Sequence, residues 1–265
     1  VIIADTAATG GELTQRGAAT YGTDKAIFAF GTSSSSQVNT INLVNNVGVV
    51  AANSTGTGSA RLSLAATSYG SSGQAIFAYG IQSGTSVNKS NKVSNTGGVS
   101  SDTSGVGTAR HELGASPFGG DKGIFAFGYS NTVGSNQNVS NIVSNTGVIS
   151  SDQSGVGTAR GGLAAAQFGD RCIFGYGAGG GPSNLVSNTG VVASDVSIVG
   201  TGRIGVAGAP YGGTKGLFAF GANGTTYYAM SNLVSTSGVI ASDTSAVSGV
   251  TIRAQVNGAG YSISA

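Results

Sequence analysis

One apolar, Phe-rich segment occurs five times along this chain of 265 residues, and the repetition restricts the fold more than any other feature. Each copy contains an anchoring Ile or Leu, and the anchors are Ile27, Ile76, Ile124, Ile173 and Leu217. Successive anchors are separated by 49, 48, 49 and 44 residues. A period between about 20 and 50 residues is typical of repeat architectures, in which each copy is one supersecondary unit. The sequence therefore predicts a fold made of repeated units.

Three other segments recur with the same period and complete the unit. An Arg-led segment that ends in Tyr-Gly or Phe-Gly precedes the Phe-rich one, and a Ser-Asn segment and a Gly-Val segment follow it. Their copies begin at Arg61, Arg110, Arg160 and Arg203, at Ser90, Ser140 and Ser183, and at Gly147, Gly190 and Gly238. Four short apolar stretches separated by Gly, Asn and Ser predict four antiparallel strands per unit. No stretch has a sustained period of 3.6 residues, so we expect almost no helix.

The Phe-rich strand must be covered on both of its faces. Ile27 and Ala29 lie on one face and Phe28 and Phe30 on the other, because side chains alternate along a strand. Sheets that pack face to face around an axis cover both faces. We therefore predict that residues 1–265 form a single all-β domain, a β-propeller of four-stranded blades closed by its N- and C-terminal strands. Five blades match the Phe-rich copies, and six is the alternative, because further partial copies occur at Val1 and Arg253.

The unit as a whole resembles a divergent kelch-type propeller blade. The resemblance rests on the succession R-x-x-L-A-A-A-x-Y-G, I-F-A-F-G, S-N-L-V-S-N-T-G-V-V and D-T-S-G-V-G-T-A-R, and it covers nearly the whole chain. The chain departs from kelch units in having single Gly residues where those have Gly-Gly, and in having no Trp. The same pattern is similar to that of repeat proteins of tailed bacteriophages of aquatic bacteria. That similarity implies a virion or tail-fibre component, located in the virion or outside the cell.

Charge and hydropathy argue against two classes of partner. The chain carries 12 basic and 10 acidic residues, a net charge of +2, and the basic residues are scattered. A nucleic-acid surface shows a basic stripe interleaved with aromatic residues, so we expect no nucleic-acid binding. No run reaches the ~18 apolar residues of a membrane-spanning helix, so we expect no membrane insertion. The partners left are a host-surface glycan or protein, other virion proteins, or further copies of the chain in a homo-oligomer.

Residues that commonly perform catalysis are few. His111 is the only histidine, and the other units have aliphatic residues or Gly at its position, so we interpret it as an individual surface residue. Cys172 is the only cysteine and stands where other units have Ala or Gly, which indicates a small buried position. A Ser-His-Asp site, a Cys-His site or a three-ligand zinc site has little support from these two residues. We therefore predict a protein that is not an enzyme and that uses neither a metal nor a cofactor.

Acidic residues recur once per unit, and Asn53 takes their place in one copy. They are Asp5, Asp102, Asp152, Asp195 and Asp243. A calcium loop would need further acidic ligands nearby, which the copies lack. We interpret the carboxylates as acceptors of backbone N–H groups in the adjacent turn, paired with the Arg of the repeat within or between blades. The charged pairs Asp24-Lys25, Asp121-Lys122 and Asp170-Arg171 fall in tight turns and are predicted to be solvated.

The loops after the Phe-rich strands differ between units in length and content, unlike the rest of the repeat. They cover residues 32–40, 81–89, 129–139, 178–182 and 222–230. Variation on a repeated scaffold indicates individual recognition, and amides and phenol rings suit sugar or protein contacts. We therefore place a candidate ligand-binding site at Gln82, Asn88, Tyr129, Asn131, Asn136, Gln137, Asn223, Tyr227 and Tyr228.

Two functional hypotheses follow from these features. The first is a non-enzymatic virion structural or host-attachment propeller, an adhesin-type module that binds through the variable loops. The second is a carbohydrate-binding lectin with one site per blade, formed by the repeated positions. The two hypotheses differ in which residues contact the ligand.

Overall fold

The computed structural model describes residues 13–34, 36–246 and 250–260. In these ranges the chain is all-β: apart from one 3-10 turn at Ala178–Gly180, its regular elements are short antiparallel strands. The expectation of almost no helix is therefore confirmed. No helix among the described residues is long and apolar enough to cross a membrane. The copy expected at Val1, with Asp5, lies outside the described residues.

Each of the five units forms an antiparallel sheet in which three strands neighbour one another in sequence order. The first strands are Gly17–Tyr21, Ala65–Tyr69, Gly114–Phe118, Ala164–Phe168 and Ala207–Tyr211. The second, Phe-rich strands are Lys25–Ala29, Gln74–Ala78, Lys122–Ala126, Arg171–Gly175 and Lys215–Ala219. The third strands are Thr40–Val44, Ser90–Val93, Ser140–Val143, Asn184–Val186 and Ser231–Val234.

A two-stranded hairpin follows the second strand in four of the five units. The hairpins pair Thr32–Ser33 with Ser36–Gln37, Ile81–Gln82 with Thr85–Ser86, Tyr129–Ser130 with Ser135–Asn136, and Ala222–Asn223 with Thr226–Tyr227. The fourth unit has the 3-10 turn at the same place. These five segments contain the loops that vary in the sequence, and we call them the variable loops.

The fourth segment of each unit is not a regular strand, which corrects the prediction of four strands per unit. In the third unit two isolated bridges join Val143 to Ile149 and Ser140 to Gln153. Between them the N–H of Ile142 donates to the side-chain Oγ of Ser150 at 2.9 Å, and the carbonyl of Ser150 accepts a bond from Asn141 Nδ2 at 3.0 Å. One backbone bond remains between the bridges, from the Ser150 N–H to the Ile142 carbonyl at 2.8 Å, and side chains take the other bonding positions. The first unit alone has a short fourth strand in the described ranges, Ser54–Thr55.

Apolar side chains from adjacent sheets form the core. The second strands are buried on both faces, as predicted: Ile76 and Phe77 each have an exposed fraction of 0%. In the first four units the aromatic residue that follows the second strand packs edge-on against the next unit, as Phe30 does with Phe77 at 5.5 Å between ring centroids. The same contact joins Tyr79 to Phe125, Phe127 to Phe174 and Tyr176 to Phe218. Burial and edge-to-face packing therefore hold neighbouring units together.

The aromatic residue that follows each second strand has a left-handed backbone conformation. The φ angle is +63° at Phe30 and +67° at Tyr79, values that non-Gly residues seldom adopt. The Tyr79 N–H donates to the carbonyl of Lys89 at 2.9 Å, and the Tyr79 carbonyl accepts Nε of Arg61 at 2.9 Å. These two bonds and the burial of the ring offset the backbone strain.

Six chain segments line a cavity of about 60 Å³. Five are the first strands, and the sixth is the C-terminal segment 250–260; each contributes one of the wall residues Ala18, Ala66, Gly114, Ala165, Gly208 and Gly258. Backbone hydrogen bonds of 2.9 to 3.0 Å connect the same segments in order, from Gln15 through Ser63, Glu112, Gly162 and Gly205 to Gln255. We call the six hydrogen-bonded residues, Gln15, Ser63, Glu112, Gly162, Gly205 and Gln255, the axial series. All six have a positive φ.

Candidate functional site

A polar network recurs inside the units and joins the first strand to the third and fourth segments. In the third unit, Arg110 Nη2 donates to Asn141 Oδ1 at 2.6 Å, and Asn141 Nδ2 donates to Asp152 Oδ1 at 2.9 Å. Asp152 Oδ2 accepts the N–H of Thr108 at 2.9 Å and its hydroxyl at 2.6 Å. The carboxylate therefore accepts a backbone N–H, but the donor is Thr108, 44 residues earlier in the chain, and not the turn after Asp152 that was predicted. The predicted pairing with the repeated Arg is present, since Arg110 Nη1 lies 3.9 Å from Asp152 Oδ1, and Asn141 also connects the two groups by hydrogen bonds.

The same network occurs in the other units. It comprises Arg61, Asn91 and Asp102, then Arg160, Asn184 and Asp195, and then Arg203, Asn232 and Asp243. In the first unit Arg16 donates to Asn42, and Asn42 donates to Asn53. Sequence analysis missed the buried Asn of this network. The signal was present in the repeated Ser-Asn pair, because the same Asn recurs in every copy of a strand whose following residues are mostly apolar.

The network is electrostatically tight and largely buried. Burial lowers the pKa of Arg61 to about 10, and its guanidinium carbon lies 4.2 Å from the ring centroid of Phe30 in the preceding unit. Burial by itself raises the pKa of Asp102, but donors from Ser59, Asn91 and Lys89 bring it well below its usual range. Groups of the same unit already occupy both carboxylate oxygens. These repeated polar residues therefore stabilise the fold.

His111 is buried, with an exposed fraction of 8%, so its interpretation as a surface residue is wrong. Its Nδ1 lies 3.0 Å from the hydroxyl of Ser86, and its ring packs edge-on against Tyr129. Burial lowers the pKa of His111, and Glu112 opposes the shift. The Ser86 hydroxyl also accepts the N–H of Asn131 at 3.1 Å. The imidazole is covered because the variable loop of the preceding unit folds over it. The sequence of a single repeat cannot predict this contact between units.

Cys172 is fully buried at the position of small residues, as predicted. Burial raises the pKa of its thiol to about 12, partly opposed by Ser116, so the thiol stays protonated at neutral pH. In the ranges that the structure describes, no group of three or more His, Cys, Asp or Glu residues could hold a metal ion.

The first three variable loops are joined into one surface. Asn131 Oδ1 accepts the N–H of Ser86 at 2.7 Å, and Asn131 Nδ2 donates to the carbonyl of Gly84 at 2.7 Å. Gln37 of the first loop accepts the N–H of Ser83 at 3.1 Å. The structure thus brings the candidates Gln82, Asn88, Tyr129, Asn131, Asn136 and Gln137 onto adjacent loops.

Several of the candidate residues are engaged by the chain itself. Asn88 Nδ2 donates to the carbonyl of Gly107 at 2.8 Å, and Gln137 Nε2 donates to the Ser135 carbonyl at 3.0 Å. Tyr228 is half-buried and its backbone forms a bridge with Arg253. Half-buried side chains are also found at Gln82 and Tyr129. The candidate side chains that are exposed are Asn131, Asn136, Asn223 and Tyr227.

A cavity of about 410 Å³ opens where the fifth variable loop meets the axial series. Tyr227, with an exposed fraction of 51%, forms part of its wall together with Gln15, Glu112 and Gln255. A cavity of this volume is in the range of small-ligand sites. Sequence analysis identified Tyr227 but missed the three axial residues, because only the packing of distant units brings them to one opening.

A second cavity, of about 800 Å³, lies on the opposite face among the turns between first and second strands. Its walls include Tyr69, Lys122, Gln167 and Tyr211. The charged pairs of these turns are partly solvated, as predicted: Lys122 Nζ lies 3.1 Å from Asp121, and their side chains are 45% and 31% exposed. The turns are near copies of one another, so this face is more uniform than the face with the variable loops.

A scan of protein-family models finds no match to the chain, and a search of curated proteins finds no relative.

Proposed function

We propose that the chain is a β-propeller with six blade positions and that it acts as a non-enzymatic binding module through its variable loops. The propeller proposal is supported by the edge-to-face contacts between consecutive sheets and by the six segments that line the cavity of about 60 Å³. We favour the six-blade alternative over five blades because Gln255 and Gly258 take a sixth place in the axial series and in the cavity wall.

The position of Tyr227 is the observation that carries the binding proposal. Tyr227 is half exposed and lines the 410 Å³ cavity, as do Gln15, Glu112 and Gln255. An exposed aromatic face next to amide and carboxylate groups suits a sugar ring or a protein side chain, since stacking and hydrogen bonding can act together.

The partner class that fits this site is a glycan or protein of a host surface, or another virion protein. The resemblance of the repeat to tailed-phage proteins supports a place in the virion or outside the cell. A hydrolytic role has little support, because His111 is covered by a neighbouring loop and the Cys172 thiol stays protonated at neutral pH. The repeated-site lectin is the competing proposal, and the internal use of the repeated Arg, Asn and Asp side chains disfavours it.

A loop exchange separates the two proposals. The labelled wild-type protein is applied to arrays of bacterial surface glycans and to intact bacterial envelopes, and the fifth variable loop is then replaced by that of the second unit. We expect the exchange to abolish binding while the thermal unfolding curve stays nearly unchanged. Retained binding after the exchange would favour one site per blade, and a lack of binding to every glycan and envelope would contradict host attachment.

A further inference from the structure

Four of the six positions in the axial series combine a polar side chain with a backbone conformation that favours glycine. The φ angles are +54° at Gln15, +53° at Ser63, +54° at Glu112 and +56° at Gln255. Residues with a Cβ rarely adopt such angles, because the Cβ crowds the following carbonyl oxygen. Left-handed backbone at residues other than glycine is concentrated at functional sites. The axial series therefore marks a candidate site of recognition.

The other two units show that glycine fits this position. Gly162 and Gly205 take the same places in the series, with φ angles of +71° and +64° and the same backbone hydrogen bonds. Glycine would relieve the backbone strain at the other four positions as well. Side chains are present there despite this strain, and all four are polar: two amides, a hydroxyl and a carboxylate. Contacts with a polar ligand give these side chains a use that the fold does not require.

All six positions of the axial series line the 410 Å³ cavity, so every segment of the ring contributes to its wall. The two glycines are neighbours in the series, and they leave the wall between Glu112 and Gln255 without axial side chains. Ile204 lies on this side and is 45% exposed; a Cβ added at Gly162 would lie 3.2 Å from Ile204 Cβ. Tyr227 also lines the cavity. Small and apolar residues next to an aromatic ring suit the apolar face of a sugar ring.

Glu112 supplies the cavity with a carboxylate that the protein itself does not use. In the described part of the chain, each aspartate is engaged by an ion pair or a hydrogen bond, whereas the carboxylate of the exposed Glu112 has no such partner there. Two oxygens come together beside Gly161: a Cβ added there would lie 3.3 Å from Glu112 Oε2 and 3.5 Å from Asn136 Oδ1 of the third variable loop. Two acceptors without a donor suit an ammonium group, which donates three hydrogen bonds and accepts none.

The cation that lines the same cavity is already bound within the first unit. Arg16 Nε donates to the Phe30 carbonyl at 3.2 Å, and Arg16 Nη1 donates to Asn42 Oδ1 at 2.7 Å. These bonds hold the guanidinium against the first sheet. Glu112, whose carboxylate lacks such bonds, is the charged group left for a ligand. The cavity therefore favours a cationic ligand over an anionic one.

We propose that this cavity binds an amino sugar with a free ammonium group. The ammonium contacts the carboxylate of Glu112, and the sugar ring lies against Ile204 and Tyr227. The amides of Gln15 and Gln255 form hydrogen bonds with the sugar hydroxyls, since an amide both donates and accepts. A lysine side chain carries the same ammonium on an apolar stem and offers these amides no hydroxyl. The inference rests on the proposed function, because it names the ligand class of the same cavity.

The test titrates a glucosamine trisaccharide into the whole protein in a calorimeter at about pH 6, where the amino groups are protonated. We expect one site per chain and at least about tenfold weaker binding of the N-acetylglucosamine trisaccharide, which has the same rings without the charge. Glu112→Gln should remove this difference between the two sugars, because the variant keeps the size of the side chain and loses its charge. Absence of binding by the glucosamine trisaccharide would overturn the proposal.

Asp170→Asn is the matched control variant, since Asp170 is a carboxylate of the opposite face and its side chain is 59% exposed. Its distance from the cavity lets salt screen its charge. The control should leave the affinity for the glucosamine trisaccharide within about twofold of the wild type. Equal losses in Asp170→Asn and Glu112→Gln would show a general attraction to the charge of the protein and overturn the site.

Glu112→Gly separates recognition from folding. Because glycine adopts a positive φ without strain, this variant should unfold about 2 °C above the wild type while it loses the preference for the amino sugar. A lower unfolding temperature would assign the side chain to the fold and overturn the inference. Unchanged preference for the amino sugar would overturn it as well.

The same titrations keep this inference apart from the proposed function. Binding of envelopes or other glycans that requires Tyr227 but not Glu112 would overturn the amino-sugar assignment and leave the proposed function intact. A lack of binding to every glycan and envelope would contradict both. Tighter binding of a Gly-Lys-Gly peptide than of the glucosamine trisaccharide would identify a protein ligand and overturn the sugar assignment.

Discussion

The guanidinium of Arg110 lies 4.2 Å from the ring centroid of Tyr79, a residue of the preceding unit. The same Arg donates Nε to the carbonyl of Phe127 at 2.8 Å and Nη2 to Asn141 at 2.6 Å in its own unit. One side chain therefore connects two neighbouring units. The arrangement is repeated along the chain by Arg61, Arg160 and Arg203.

Substitution of Arg110 by Ala should strongly destabilise the fold. The change leaves Asp152 without its cation and Asn141 Oδ1 without its donor, and it exposes a gap beside Tyr79. We predict a loss of about 3 kcal/mol in the free energy of unfolding, measured by urea denaturation. Arg110→Lys should also destabilise, because an ammonium cannot make the forked set of bonds.

The matched control for Arg110 is Arg171, whose side chain is 41% exposed and pairs with Asp170 at 4.0 Å. Arg171→Ala should cost no more than about 1 kcal/mol, as is usual for exposed ion pairs. Equal losses for the two variants would contradict a structural role of the repeated Arg.

Acid should destabilise the protein through the repeated carboxylates. The pKa values of Asp102, Asp152, Asp195 and Asp243 are lowered in the folded state. The folded protein therefore binds fewer protons than the unfolded chain, and the stabilisation is complete above the unfolded pKa of about 4. We expect stability to fall as the pH drops below about 4 toward the folded pKa values, which is measurable by thermal unfolding at successive pH values.

Asp152→Asn is the variant that isolates one of these groups. Asn53 already accepts the bond from Asn42 at 2.8 Å in the first unit, so an amide can occupy this position. The variant should be less stable than the wild type at neutral pH but should lose less stability between pH 4 and 2. An unchanged acid slope would show that Asp152 does not contribute to it.

His111 should make stability depend on pH in a second, milder range. Burial lowers the pKa of His111, so the folded protein binds the proton less well than the unfolded chain does. Its contribution is complete above the unfolded pKa of about 6.5 and is lost as the pH falls through that value toward the folded pKa. His111→Leu, which copies Leu62 of the second unit, should remove this part of the pH dependence. NMR titration of the single imidazole checks the lowered pKa directly.

Gly147→Ala should destabilise more than Gly134→Ala, although both glycines have similar φ angles of +74° and +78°. A Cβ at Gly147 meets the Tyr69 ring, whereas a Cβ at Gly134 has nothing within 4 Å. Backbone strain alone should cost about 1 kcal/mol at Gly134, and displacement of Tyr69 should add at least as much again at Gly147. Equal values for the two variants would mean that Gly147 contributes only through its backbone conformation.

Much of the unit could be predicted from its repeated pattern. Ile76 and Phe77 are adjacent and lie on opposite faces of their strand, so both faces required cover. Both residues are fully buried. The role of Asp152 as an acceptor of a backbone N–H was also predictable, but its donor Thr108 lies 44 residues earlier and not in the turn that follows Asp152. These features depend on residues within one unit.

Contacts between units explain what the sequence did not reveal. The burial of His111 depends on a loop contributed by the preceding unit, and the opening near Tyr227 depends on residues from all six segments. In the irregular fourth segment the side chains of Ser150 and Asn141 take two positions of the backbone ladder, and apolar periodicity does not reveal such side-chain bonds. Tyr211 and Tyr69 occupy the same position of the repeat but are 47% and 6% exposed, so no pattern within the repeat could indicate the difference.

The most direct test of the account compares two tyrosines of similar exposure on opposite faces, Tyr227 at 51% and Tyr211 at 47%. The affinity of the wild type, Tyr227→Ala and Tyr211→Ala is measured by surface plasmon resonance for the bacterial envelope or glycan that the protein binds. We predict that Tyr227→Ala weakens binding about tenfold or more and that Tyr211→Ala leaves it within about twofold of the wild type, with both variants unfolding at nearly the wild-type temperature. Weakened binding in Tyr211→Ala with wild-type affinity in Tyr227→Ala would place recognition on the opposite face and contradict the proposed role of the variable loops.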